Sequence, residues 1–285
     1  MGFDADEKRG LLYVGLAVGM FATSPVLIRI ASPVSSFEIT FWRMALAAPT
    51  VLALSYVLRQ PILWPLGDFK RFALYGLVAA LHFLLYIASL SFTTIAHSLA
   101  IVYTAPIFIA VFSAVFLGEH IARRKYAGIA IAVVGVAILA GFEPQITLRI
   151  LFGDLLALGS AICFGFYSVF VRSQRHHYPL LTYAFAVYAC AALWLLPVAA
   201  ASFRPIYSLQ SIAAIIILGV FPLGIGHTLY NAAIRKVHAA YANLIATQEV
   251  TGGIILGLLV LGETPSLNSL AGALIALIGI IIVLL

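Results

Sequence analysis

The sequence predicts an all-α integral membrane protein with ten transmembrane helices, built as a five-plus-five inverted-topology repeat with both termini in the cytoplasm. Three observations lead to this prediction: the apolar composition, the long apolar segments and a set of internal matches at a fixed spacing. Of the 285 residues, 64% are hydrophobic and only 9% are charged, whereas a soluble domain carries about 25% charged residues. A soluble fold of this size cannot bury so much apolar surface. The excess is therefore expected to face lipid.

Ten segments are apolar and long enough to cross a bilayer, since a helical span needs about 20 mostly apolar residues. Breaks at Pro, Gly and charged residues delimit them as 10–30, 36–58, 70–90, 97–117, 124–141, 152–172, 180–202, 209–233, 239–261 and 267–285. Backbone polar groups find no water in the hydrocarbon core, so segments of this length are expected to be helices. The connections between them are short, and no soluble domain is predicted.

Lys and Arg residues divide unevenly between the two sets of connections. Of the 16, twelve lie in one set, only Arg29, Arg149 and Arg204 lie in the alternate set, and the remaining residue, Arg43, lies within a span. Cytoplasmic loops carry the excess of Lys and Arg, so this division predicts a multi-pass protein of the cell inner membrane with cytoplasmic termini. The formal net charge of +6 is interpreted as this topology signal, and no nucleic-acid partner is expected.

The chain matches itself at a spacing of about 144 residues. The matched residues include Leu117-Gly118-Glu119 with Leu261-Gly262-Glu263, Gly135 with Gly279, Tyr86 with Tyr230 and, at a spacing of 143, Phe21 with Phe164 and Arg29 with Arg172. The two repeats are predicted as 1–143 and 144–285. Because each holds five spans, an odd number, the second repeat must enter the membrane from the other side. Inverted repeats are the architecture of many secondary transporters, whose substrates bind near the midplane.

Five-plus-five inverted helices, a Pro in the fourth span and Leu-Gly-Glu motifs ahead of Gly-spaced fifth and tenth spans resemble the drug/metabolite transporter superfamily. In particular, the sequence is similar to the ten-helix EamA-type exporters over essentially its whole length. The resemblance implies export of small amphipathic metabolites, especially aromatic and other neutral amino acids, by alternating access at a cavity between the repeats. It implies a small-molecule substrate and the lipid bilayer as partners, and function as a monomer.

The candidate site residues are polar and aromatic side chains inside the spans. An ionisable residue at the centre of a span costs at least about 2.5–3.5 kcal/mol, and such residues mark function by default. Glu249 lies at the middle of the ninth span and Arg43 in the outer half of the second span, and both are predicted to serve in coupling or to form an ion pair. The predicted substrate-binding residues are Phe41, Trp42, His82, Tyr86, Tyr103, Thr104, Tyr183, His227, Tyr230, Asn231 and Gln248. Flat rings with few donors and acceptors suit amphipathic substrates that have an apolar side chain.

Other functions are weighed against this one. No HExxH pair, GxSxG elbow, P-loop or Cys/His metal spacing occurs in the sequence, so no enzyme, metal site or cofactor is predicted. A proton-coupled drug or cation exporter and a lipid-carrier flippase remain alternatives. Glu249 is the candidate proton carrier, while facilitated diffusion needs no such residue. A His or Tyr in a membrane helix also often serves only to hydrogen-bond a neighbouring helix.

Overall fold

The structure is a computed structural model that describes residues 4–63, 66–92, 98, 101–140, 147–204, 207–261 and 267–284. Within these residues it consists of helices and their connections, with no β-strand. The helices, numbered in chain order, are α1 (Ala5–Phe21), α2 (Ser24–Ile30), α3 (Ser36–Val57), α4 (Phe69–Ser89), α5 (Ala105–Leu117), α6 (Arg123–Ala140), α7 (Leu148–Ser173), α8 (Leu180–Ser202), α9 (Leu209–Leu218), α10 (Thr228–Lys236), α11 (Ala239–Ala246), α12 (Glu249–Leu261) and α13 (Leu267–Leu284). A π-helical segment, Gly219–His227, joins α9 to α10.

Seven helices or consecutive helix pairs in the described part of the chain are long and apolar enough to cross a membrane. They are Ala5–Ile30, Ser36–Val57, Phe69–Ser89, Leu148–Ser173, Leu180–Ser202, Leu209–Lys236 and Ala239–Val260. Two shorter apolar helices are Ala105–Leu117 and Leu274–Val283. The all-α membrane class is therefore confirmed, whereas the count of ten spans, the five-plus-five arrangement and the side of the termini stay predictions. Residues 99–100 of the fourth predicted span and the Gly262-Glu263 motif lie outside the described residues.

Several of the spans are interrupted near their centres. The first breaks between α1 and α2, just ahead of Pro25. The fourth turns at Tyr103–Thr104 before α5, and the ninth turns at Thr247–Gln248 between α11 and α12. These last two turns are 144 residues apart, which is the spacing of the internal sequence matches. Interrupted helices are tolerated at membrane depth where they line a cavity, and in transporters they form the substrate site.

The π-helical segment Gly219–His227 has an identifiable cause. Pro222 lies inside it, and proline has no backbone N–H to continue the hydrogen-bonded ladder of an α-helix. π-Helical turns of this kind occur frequently at functional sites. Gly219 lets the segment lie directly on α3, because a Cβ there would approach Leu46 Cβ to 2.6 Å. The segment therefore packs against α3 and ends at His227, which faces the interior of the bundle.

Helices α6 and α13 pack backbone to backbone. A Cβ on Gly128 would lie 2.8 Å from the carbonyl oxygen of Gly279, and a Cβ on Gly135 would lie 2.9 Å from that of Gly272. At the spacing of 144, Gly128 matches Gly272 and Gly135 matches Gly279. The same contact is thus made twice with the partners exchanged, as in an interface around a two-fold axis.

The bundle has two ends. At the basic end lie the last residues of α3, α5, α7 and α10, where Leu63 N–H donates to Thr182 Oγ1 at 3.0 Å. At the opposite end lie the last residues of α2, α4 and α8, where Ser35 Oγ lies 3.2 Å from Ser202 Oγ. The functional side chains described next lie between these two ends.

Candidate functional site

A small enclosed cavity lies at the centre of the bundle. It measures 40 Å³ and is lined by Phe21, Ser24, Arg43, His82, Phe83, Tyr86, Val102, Tyr103, Phe164, His227, Ala246 and Glu249. Six of these were predicted from the sequence: Arg43, His82, Tyr86, Tyr103, His227 and Glu249. The volume is little more than the share of one water molecule, about 30 Å³, whereas pockets for drug-sized ligands measure about 300–1,000 Å³. The cavity must therefore widen to hold a metabolite.

Two charged side chains face the cavity. Arg43 is only 3% exposed, and its Cζ lies 5.2 Å from the centre of the Phe83 ring. Its Nε and Nη1 atoms have no hydrogen-bond partner among the described residues. Glu249 begins α12 and lines the cavity together with Tyr103. The cavity thus holds a carboxyl group and a guanidinium whose Nε and Nη1 donors have no partner among the described residues.

The two cavity histidines are held in different ways. His82 Nδ1 lies 3.0 Å from Ser160 Oγ, and this hydroxyl lies 2.8 Å from the His82 carbonyl oxygen. The His82 ring also stacks on Phe164, with centroids 4.4 Å apart. The His227 ring packs on Phe21 at 4.4 Å, and its Nδ1 has no partner within the part of the chain described. His82 therefore links α4 to α7, whereas His227 is packed among aromatic rings.

Three predicted site residues lie away from the cavity, in the packed interior among α7, α8, α10 and α11. Tyr167 donates to Asn231 Oδ1 at 2.8 Å, and Asn231 Nδ2 donates to the Tyr188 hydroxyl at 3.3 Å. The Tyr230 hydroxyl lies 3.1 Å from Ser168 Oγ and accepts from Asn243 Nδ2 at 3.2 Å. The third, Tyr183, is fully buried below Arg235, whose Cζ lies 5.5 Å from its ring centre.

Phe41 and Trp42 line a separate groove of 310 Å³ against α8. Successive residues of an α-helix are rotated by about 100° around its axis. Because Arg43 points into the bundle, Phe41 and Trp42 point in other directions. Thr104 and Gln248 make local contacts at the span interruptions. Thr104 Oγ1 donates to the Ile101 carbonyl at 2.7 Å, and Gln248 Oε1 accepts from Thr251 Oγ1 at 3.1 Å.

A larger space, here called the vestibule, lies at the opposite end. It measures 480 Å³ and is lined by Pro25, Ile28, Arg29, Ser32, Val34, Ser36, Ile39, Tyr86, Ile87, Leu90 and Ser91. Tyr86 lines both the vestibule and the central cavity. Its hydroxyl has no hydrogen-bond partner among the residues described. The Tyr86 side chain is therefore the partition between the two spaces.

The basic end is closed by ion pairs. Arg172 Nε lies 3.0 Å from Glu119 Oε2, and Arg175 Nη1 lies 3.3 Å from Glu119 Oε1. Arg172 Nη1 also donates to the carbonyls of Ile234 and Val237 at 3.0 and 2.9 Å. These contacts join the chain before residue 144 to the chain after it.

His238 also approaches this cluster, with its Nε2 4.0 Å from Glu119 Oε2. Burial lowers the pKa of His238, and the nearby Arg172 lowers it further, against the opposing effect of Glu119. The imidazole is therefore neutral at neutral pH. The charge of Glu119 is thus balanced by the two arginines.

Six residues that line the cavity were not predicted from the sequence: Phe21, Ser24, Phe83, Val102, Phe164 and Ala246. Phe21 and Phe164 could have been predicted as a pair, because they match each other at the spacing of 143. Nothing in the sequence distinguishes Phe83 from the many aromatic residues that face lipid. Within the described residues, no group of three or more His, Cys, Asp or Glu side chains is placed to hold a metal ion.

Known proteins share both the sequence pattern and the fold. The family model described as "EamA-like transporter family" matches residues 8–141 and again residues 151–285. An uncharacterized transporter of Archaeoglobus fulgidus is 26% identical over 90% of both chains. The pseudopaline exporter CntI of Pseudomonas aeruginosa is 25% identical over 96% of this chain and 95% of its own.

A probable terminal-alkyne amino-acid exporter of Streptantibioticus cattleyicolor is 26% identical over 63% of this chain and 60% of its own. A solved crystal structure superposes with a TM-score of 0.79 over 96% of both chains at 18% identity, which shows a shared fold. The relatives are named transporters or exporters, and these names indicate a transport role. A bundle of apolar helices around a small central cavity agrees with that role. With matches to the family model over both halves, this multi-pass membrane protein belongs to the EamA-like transporter family.

Proposed function

We propose that the protein exports small amphipathic metabolites, in particular aromatic and other neutral amino acids, from the cytoplasm. The central cavity carries this proposal, because it combines aromatic walls with one cation and one anion. The name of one similar protein, a probable terminal-alkyne amino-acid exporter, supports the substrate class. The sequence also resembles the bacterial amino-acid exporter YddG, in line with the same substrates.

The mechanism proposed is alternating access between two inverted repeats of five spans each. The family model matches the two halves separately, and the exchanged glycine contacts of α6 and α13 support a two-fold relation. The distribution of Lys and Arg favours the basic end as the cytoplasmic side, with both termini there and the chain in the inner membrane. Each chain contains both halves, so a monomer suffices.

The repeat also suggests what changes between the two states. At the basic end, which is closed, the Tyr230 hydroxyl contacts Ser168 Oγ. At the spacing of 144, Tyr86 matches Tyr230, and Tyr86 lines the central cavity with a hydroxyl that has no partner among the described residues. In the proposed cycle, closing the opposite end gives the Tyr86 hydroxyl a partner while Tyr230 leaves Ser168. The cavity then opens to the cytoplasm.

A second candidate function, proton-coupled export of a drug or cation, is favoured by one observation. Glu249 is the only carboxylate among the described residues that line the cavity, and an acid in a span is a usual proton relay. Arg43 in the same cavity opposes this function, because it would repel a cationic substrate. A lipid-carrier flippase would need several cations for the headgroup, and within the described part of the chain Arg43 is the only cation that lines the cavity.

Transport by the purified protein tests the proposal. Proteoliposomes are given radiolabelled phenylalanine, leucine, lysine and glutamate and, separately, tetraphenylphosphonium, with protein-free liposomes as the control. We expect uptake of phenylalanine and leucine well above the control. Uptake of the cation without any amino acid would overturn the assignment. Substrate-driven proton movement that Glu249→Gln abolishes would establish coupling, and unchanged movement would exclude that role.

A further inference from the structure

We propose that Arg43 and Glu249 form a two-pole site for the zwitterionic head of the substrate. Arg43 binds a carboxylate, and Glu249 binds an ammonium group. The inference rests on the proposed function, since the ligand is the transported amino acid. It goes further by assigning each end of the ligand to one residue and by predicting which analogues the protein rejects.

The first observation is that Arg43 is buried and has donor groups without a partner among the described residues. Its side chain is 3% exposed and faces the cavity, and its Nε and Nη1 atoms lack hydrogen-bond partners among the described residues. A cation without partners at this depth is costly, and intramembrane charges normally pair with one another or with backbone carbonyls. A guanidinium presents its donors in a planar fork that matches a carboxylate, with two parallel hydrogen bonds. Arg43 is therefore suited to a ligand carboxylate.

The surroundings of Arg43 leave those donors available. The guanidinium lies over the Phe83 ring, 5.2 Å from its centre, and an aromatic face stabilises the cation without occupying its in-plane N–H groups. His82 is oriented by Ser160, and His227 is packed on Phe21. Glu249 and Tyr103 also line the cavity. The Nε and Nη1 donors of Arg43 thus remain without a partner among the described residues.

The charge balance of the cavity favours a ligand with both poles. One cation and one anion make the lining neutral overall, so a zwitterion satisfies both groups at once. A ligand that is only an anion would meet repulsion from Glu249, and a purely cationic ligand would meet repulsion from Arg43. Such unfavourable pairings are a general source of specificity. The rings of Phe21, Phe83 and Phe164 provide an apolar surface for the substrate side chain.

The two charges do not belong to the repeated framework. At the spacing of 144, Arg43 matches Val187 and Glu249 matches Ala105. Both of these counterparts are fully buried apolar residues. A charge that served only to hold the two repeats together would be expected in both of them. Each of these two charges occurs in only one half and lies at the central cavity, which indicates that it binds the ligand.

The test uses competition against uptake of radiolabelled phenylalanine into proteoliposomes. The competitors are unlabelled phenylalanine, phenylalaninamide, which lacks the carboxylate, and 3-phenylpropionate, which lacks the ammonium group. The wild-type protein is expected to prefer phenylalanine to either analogue by at least about tenfold, the scale of one charge-assisted pair. Arg43→Gln is expected to lose the preference over the amide and keep that over the acid, and Glu249→Gln is expected to do the reverse. Arg123→Gln, an exposed arginine outside the cavity, is the matched control and should behave as wild type.

The possible failures are distinguishable. If the wild-type protein transports no amino acid, the proposed function fails, and this inference fails with it. If it transports phenylalanine but the amide and the acid compete equally well, the two-pole site is wrong while the proposed function stands. If the substituted proteins do not fold, the wild-type competition series still decides, because it varies the ligand and leaves the protein unchanged.

Discussion

The two ends of the bundle use matched residues in different ways. At the basic end, Arg172 is held by Glu119 and two carbonyls, and Tyr230 is fully buried with its hydroxyl bonded. At the opposite end, the matched residues Arg29 and Tyr86 line the 480 Å³ vestibule. One pair of matched positions therefore closes the bundle, while the other borders an open space. Residues that match in sequence thus occur at both ends, and local contacts determine which end is shut.

The opposite end is also held together by hydrogen bonds between its helices. Ser35 reaches Ser202, and the carboxylate of Glu38, which is 1% exposed, accepts hydrogen bonds from Ser35 and the Tyr207 hydroxyl. These contacts lie along the α3 and α8 edge, away from the side chains that separate the vestibule from the cavity. The opposite end is thus held by hydrogen bonds along the α3 and α8 edge and is open next to that edge. Part of the interface can therefore move while the hydrogen-bonded edge stays in place.

The largest expected effect compares the reactivity of two matched positions. Ile28 lines the vestibule, whereas Val171, its match at the spacing of 143, is 0% exposed. In a background with Cys163 and Cys190 replaced by Ala, Ile28→Cys should react with a polar maleimide at least about tenfold faster than Val171→Cys, because a buried thiol reacts only on local opening. The measurement is the labelling rate of the detergent-solubilised protein. Equal rates would contradict the assignment of one open and one closed end.

The second prediction removes the anion that closes the basic end. The side chains of Glu119 and Arg172 are only 21% and 13% exposed, so Glu119→Gln leaves a poorly hydrated cation without its charged partner. We expect a loss of about 2 kcal/mol in stability, less than for a fully buried pair because some water reaches the site. Thermal unfolding in detergent measures the change.

The control for this prediction is Asp6→Asn. Asp6 pairs with Lys236 at 2.7 Å, but its side chain is 66% exposed. An exposed pair contributes little to stability because solvent screens it. If both substitutions lower the melting temperature equally, the Glu119 cluster is no more than a surface ion pair.

The smallest effect is expected at Tyr86, in comparison with its matched residue Tyr230. Tyr230→Phe leaves Ser168 and Asn243 without their shared partner, and we expect a loss of about 1–3 kcal/mol, the penalty of unsatisfied buried groups. Tyr86→Phe removes a hydroxyl that has no partner among the described residues, so its effect on unfolding should stay within about 0.5 kcal/mol. Unfolding of the two variants side by side is the measurement. A Tyr86→Phe protein as unstable as Tyr230→Phe would show that both tyrosines are bonded alike.

Much of the frame was predictable from the sequence because the lipid environment imposes strong constraints. Apolar segments of sufficient length have to be helical, and several predicted spans, including 180–202, coincide with a helix of the structure. The turns at Tyr103–Thr104 and Thr247–Gln248 lie at the spacing that the repeat predicts. The candidate site was predictable only in part. Arg43 and Glu249 stand out because charges are rare in spans, and both do line the cavity.

The sequence by itself determined the all-helical membrane class, the doubled pattern and the few ionisable residues within the spans, because composition and spacing follow directly from solvation in lipid. Only the tertiary structure decided which polar side chains meet. Tyr230 and Asn231 are bonded within the second half, Phe41 and Trp42 face a separate groove, and Phe83 lies under Arg43. The physical reason is that hydropathy does not distinguish a helix face turned to lipid from one turned to a neighbouring helix. That distinction depends on the rotation of each helix, which close packing at positions such as Gly128 and Gly219 sets.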